Sequence, residues 1–138
     1  MKTEQPVLIT SIKAAVNIVK NYLIGFDGNL CSANTKPLGV SNANANSGEQ
    51  LPLTCKGIAL VYSYQAITQG AALVCQTGGK VAPAANFNVV VPNGSTQVNS
   101  NAAQPTLTLS GSVLPQTIVG YALDSASGAD ELIRVLLT

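Results

Sequence analysis

Short apolar runs recur along this chain, most of them closed by a turn signal before a helix of ordinary length could complete its apolar face. That rhythm limits the fold more than any other feature, because it is the pattern of a small antiparallel sandwich or barrel. The first run is Val7 to Ile12. Ile18 to Phe26 follows, then Asp27-Gly28-Asn29 and Leu30 to Ala33, where Asp-Gly between apolar runs is a strong hairpin cue. Residues Ile12 to Leu23 also carry helical spacing, but β-branched residues dominate there and favour a strand. Leu38-Gly39-Val40 is a short run, and Leu51 to Tyr64 is a long one with Gly57 inside it, a residue that marks a bulge or bend. Ala71 to Thr77, Gly78-Gly79 and Lys80 to Ala82 spell a hairpin. Phe87 to Val91 closes on Pro92-Asn93-Gly94, and Thr106 to Ser110 alternates like a half-buried strand. Ile118 to Leu123 and Leu132 to Leu137 flank Asp124 to Glu131 as a last hairpin. The expectation is an all-β chain of about eight to ten antiparallel strands, a small β-barrel or jelly-roll sandwich, forming a single domain over 1–138.

Two stretches fall outside that rhythm. Asn42 to Ser47 is small, polar and low in complexity, and reads as an exposed loop. The segment from Ser95 to Gln104 is too long and too polar for an ordinary connection, so 86–105 is expected to be an insertion or long loop. Residues 1–6 are expected to form an extended N-terminal arm able to add a strand to a neighbour's sheet edge.

Composition decides what such a chain can do. Charged residues make up 9% of the 138, against roughly a quarter in an average soluble domain. Polarity comes from Asn, Gln, Ser and Thr instead, which supply 42 of the 138 residues. With His at 0, the commonest general base, metal ligand and pH switch are missing. A net charge of +1, with the basic residues scattered, offers no patch for nucleic acid. Aromatics at 4% and no Trp leave little for stacking on bases or sugars. No stretch approaches a membrane span, since the most apolar window, Ala14 to Ile24, is broken by Asn17, Lys20 and Asn21. The opening residues lack the pattern of a secretory signal, and Cys31, Cys55 and Cys75 have no paired spacing, so the expectation is synthesis in a reducing cytoplasm with three half-buried thiols.

Candidate chemistry is correspondingly thin. Gly78-Gly79-Lys80 invites a phosphate-loop reading, but that loop requires a glycine where Val74 stands and a Ser or Thr where Val81 stands. Asp124 and Asp130 could face one another across the last hairpin, yet turn acids ordinarily satisfy backbone N–H groups. No Ser is spaced with a Lys for nucleophilic work. The reading is therefore of a non-enzyme, with no catalytic residues, no cofactor and no metal. Candidate interface residues are Gln5 and Pro6 in the arm, Asn44 and Asn46 in the polar loop, Asn93 and Asn99 in the long segment, and Tyr62 and Tyr64. The two tyrosines lie two apart in a strand and so share a face, where they either fill the sheet surface or anchor a partner.

Four stretches together resemble the small cement or decoration proteins of tailed-bacteriophage capsids. They are Gly25-Phe26-Asp27-Gly28; Leu38-Gly39-Val40 with Gly48-Glu49; Leu53 through Gly57 to Ala66–Leu73 and Gly78-Gly79-Lys80-Val81; and Ile118–Leu123 through Gly128 to Ile133–Leu137. The resemblance covers most of the chain except about 86–105. It implies a structural virion protein on the outer face of an icosahedral capsid, assembled in the bacterial host cytoplasm. The implied partners are the major capsid protein and further copies of itself, as a homodimer or homotrimer. An adhesive or carbohydrate-binding β-sandwich is the alternative that the Asn, Thr and Ala bias leaves open, weakened by the scarcity of aromatics.

Overall fold

The computed structural model describes residues 2–84 and 117–138, and every regular element among them is a strand. In chain order these are β1 (Gln5–Lys13), β2 (Leu23–Ile24), β3 (Gly39–Ser41), β4 (Gln50–Tyr62), β5 (Ala72–Gln76), β6 (Lys80–Pro83), β7 (Ile118–Ala122) and β8 (Leu132–Leu137). All strand pairs are antiparallel, in the order β2-β3-β4-β8-β7-β5-β6, with β1 added on β4. The all-β expectation is met. The expected strands at Phe87 to Val91 and Thr106 to Ser110, and the long segment at 86–105, lie outside the described residues.

β4 is the spine. Leu53 and Thr54 pair with Thr10 and Ile9 of β1 and also with Ser41 and Val40 of β3. Gly57 and Ile58 pair with Pro6 and Gln5 of β1 and also with Leu137 and Leu136 of β8. Two partners per residue place β1 on one edge of β4, with β3 and β8 end to end along the other. The glycine inside this strand has the role that its position implied. Gly57 has φ +105°, and a Cβ there would stand 2.4 Å from the Gln5 carbonyl oxygen. Opposite it the ladder slips between Pro6 and Leu8, so a bulge sits where β1 crosses the bend in β4. Pro6 is tolerated because β1 is an edge strand.

The sheet curls until its ends meet. Ser63, just past β4, forms a parallel bridge to Val81 of β6, and the Tyr64 amide donates to the Val81 carbonyl at 2.8 Å. At the β5–β6 turn Gly78 and Gly79 both take positive φ. Gly79 then accepts a 2.8 Å bond from the Leu23 amide of β2, an approach that leaves no room for a side chain. The result is a sheet nearly closed into a barrel. Its interior holds fully buried Leu23, Val61, Leu73, Cys75, Val81, Ile133 and Val135. A second, smaller cluster of Ala14, Ile18, Ile24, Ala45, Leu51 and Leu53 lies towards the other end of β4.

Two expectations about local structure change. The run Ile18 to Phe26 holds only a two-residue strand, because Asn21 adopts φ 76° and breaks the extended chain; Ile18 instead forms a single bridge with Ala45. The Asn-rich loop is likewise not wholly exposed. Ala45 is buried and exchanges backbone bonds of 2.8 and 2.9 Å with Ile18, so the loop is pinned at its centre.

Candidate interaction surface

β1 carries the most unusual surface among the described residues. Its sequence, QPVLITSIK, carries Val7, Leu8, Ile9 and Ile12, yet nearly all of it is exposed. Val7 is 81% accessible, Leu8 52% and Ile9 50%. Val7, Leu8 and Ile9 are consecutive and all exposed, at the point where the ladder to β4 is irregular. No described strand pairs with its outer edge. An edge that no described strand covers is a template for pairing with another chain, here past the proline and bulge at its start.

Beside it lies a groove of about 420 Å³ whose apolar walls include Leu8, Ile9, Phe26, Leu38, Ile118 and Leu137. Phe26 is 63% exposed, held out by the turn in which the Asp27 carboxylate accepts from the Asn29 amide at 3.1 Å. Lys36 and Lys56 supply the charge along the groove. Scattered exposed apolar residues are ordinary, but a contiguous strip of large ones flanking a groove marks a contact surface.

The residues singled out in the sequence are dispersed. Gln5 and Pro6 belong to the start of β1, exposed and paired with Ile58 and Gly57, so the expected arm is a strand of the protein's own sheet from residue 5 onward. Asn44 and Asn46 are exposed but internally engaged: the Lys20 amide donates to Asn44 Oδ1 at 2.8 Å, and Asn46 Nδ2 donates to Glu49 at 3.1 Å. Tyr62 is half-buried against Tyr22, ring centroids 5.2 Å apart, while Tyr64 is exposed beyond the strand end. Asn93 and Asn99 lie outside the described residues. The strip Val7–Leu8–Ile9 and Phe26 escaped notice as surface because an apolar run reads as core; Pro6 at the strand start was the one sign of an edge.

The acids of the last hairpin have separate tasks. Asp124 accepts from the Arg134 amide, Nε and Nη2, each at 3.0 Å, and this guanidinium holds its carboxyl down at about 2. Asp130 pairs with Lys80 and raises the lysine's proton affinity. Glu131 accepts from the Ser127 amide at 2.9 Å, and the Ser127 side chain and amide lower its pKa. Asp124 and Glu131 thus satisfy their own hairpin and Asp130 holds Lys80, and none of them faces another acid. Among the described residues no three His, Cys, Asp or Glu side chains are grouped to hold a metal, and no helix is long and apolar enough to cross a membrane.

No curated protein matches this sequence. The crystal structure of the head fibre gp8.5 N base of bacteriophage phi29 is similar in fold, with a TM-score of 0.62 at 16% identity over 95% of this chain and 93% of that one. At the level of sequence, the profile of the family described as phage cement protein matches residues 1–137. An all-strand, nearly closed barrel agrees with that match: the chain belongs to the phage cement protein family, and its place is in the virion as a structural protein.

Proposed function

We propose that the protein binds the outer surface of an icosahedral phage capsid and stabilises the shell by bridging neighbouring major capsid proteins. The observation that carries this reading is β1, whose open edge and exposed Val7, Leu8 and Ile9 form a surface that needs a partner. The major capsid protein is that partner. An extended capsid segment adds to the free edge of β1, its apolar side chains enter the groove beside Phe26 and Leu38, and an acidic residue meets Lys36 or Lys56. No catalytic step is involved.

Several copies acting together account for retention. The protein works as a homodimer or homotrimer, so that modest contacts to adjacent capsomers multiply by valency. With charged residues at only 9%, those contacts are mainly apolar and neutral, and lose little to salt. The protein is made in the host cytoplasm and joins the head from outside.

The test is co-sedimentation of purified protein with undecorated phage heads, followed by heating. Heads that carry the protein at a fixed stoichiometry and release their genome at a higher temperature meet the expectation. Protein left in the supernatant at every concentration defeats it.

A further inference from the structure

The groove beside β1 has its cause in the strand register. β3 and β8 share one edge of β4, but β3 pairs only as far as Thr54 and β8 begins at Gly57. Cys55 and Lys56 therefore have no described strand beside them on that edge. Both line the groove, with Gly39 from the start of β3 and Leu137 from the end of β8, so the groove opens at a break in the sheet. Its charge is of one sign. Lys36 and Lys56 line it and are exposed, and no acidic side chain does. The 6 acidic residues of the chain all lie among the described residues, and the ion pairs found there engage Lys20, Lys80 and Arg134 instead. Both lysines of the groove are thus without an acidic side-chain partner.

We propose that this groove is a binding site for a fatty acid, whose single alkyl chain lies against Phe26, Leu38 and Leu137 and whose carboxylate is held by Lys36 and Lys56. Apolar walls with a few polar groups that fix orientation are the usual make-up of a small-ligand site, and about 420 Å³ is an ordinary volume for one. The two ammonium groups have donors to spare for an anion, and charge-assisted bonds to a carboxylate are stronger than neutral ones. An uncharged chain of the same length would leave both cations unanswered. Each methylene withdrawn from water tightens binding by about fourfold. The site belongs to the free protein and its test needs no phage head, so the capsid reading and this one can fail separately.

The experiment titrates the native full-length protein by calorimetry with octanoate and decanoate, below the concentrations at which they form micelles, and with decanol. The expected result is saturation at one acid per chain, with decanoate tighter than octanoate by about fourfold for each added methylene. Decanol should bind roughly tenfold more weakly than decanoate, and Lys36→Gln/Lys56→Gln should lose about the same factor for decanoate while keeping its melting temperature. Cys55 gives a local reading, because it is half-buried in the groove wall while Cys31 and Cys75 are buried. Alkylation of Cys55 by a maleimide, mapped by mass, should slow when decanoate is bound. Absence of saturable binding, decanol binding as tightly as decanoate, wild-type affinity in the double variant, or Cys55 alkylated at an unchanged rate would overturn the proposal.

Discussion

β1 and β8 lie on opposite edges of the same strand and each carries several large aliphatic side chains, yet their fates differ. β8 alternates: Ile133 and Val135 are fully buried while Arg134 turns outward to Asp124. β1 shows Val7, Leu8 and Ile9 to solvent. β8 has β7 on its far side and so sits inside the sheet; β1 has no described neighbour beyond β4. Burial here is set by what a strand finds on its second side rather than by its own apolarity. Substitutions in the two strands should therefore separate stability from binding.

The largest loss of stability is expected on the β8 side. Ile133→Ala leaves a cavity in the barrel interior and should cost about 3–4 kcal/mol in urea unfolding. An Ile133 variant that loses less than a surface substitution would mean the barrel interior is not the stabilising core. Next comes the bend shared with β1. Gly57→Val forces a branched side chain into φ +105° and onto the Gln5 carbonyl, at an expected cost of about 2–3 kcal/mol, with faster proteolysis at residues 1–13 as the local reporter.

How far these features were legible beforehand depends on whether the signal was local. The β5–β6 hairpin could be read because Gly78-Gly79 carry the positive φ its turn needs, and the β7–β8 hairpin because two apolar runs flank the polar stretch Asp124 to Glu131. Gly57 could be read as a bend for the same reason. The short β2 could not, since Asn21 in the left-handed region and the Tyr22 amide bonded to Ser41 Oγ are tertiary choices. Nor could the burial of Ala45 inside a polar loop, which depends on Ile18 far along the chain. The contact surface was hidden most thoroughly: Val7, Leu8 and Ile9 look like core, and only the strand order shows that nothing described covers them.

A smaller effect tests the outward face of β8. The Asp124 carboxyl falls from 3.8 to about 2 through its bonds to Arg134. A depressed carboxylate pKa contributes stability that is present above pH 4 or so and is lost as pH falls through the folded value. Solvent screening of the partly exposed Arg134 holds the contribution to about 1 kcal/mol, so Asp124→Asn should cost that much at pH 7 and almost nothing at pH 2. Equal losses at both pH values would assign the effect to packing. The smallest effect on stability belongs to β1, where Val7→Glu and Ile9→Glu should each change unfolding by about 0.5 kcal/mol or less, in contrast to the change expected in head binding.

The most direct test of the central claim is cryo-electron microscopy of undecorated heads mixed with wild-type protein or with the Val7→Glu/Ile9→Glu variant. The account predicts wild-type density at a fixed symmetry position with β1 against the shell, and bare heads with the variant although its melting temperature is nearly unchanged. Decoration by the variant at wild-type occupancy, or wild-type density with β1 facing solvent, would contradict it.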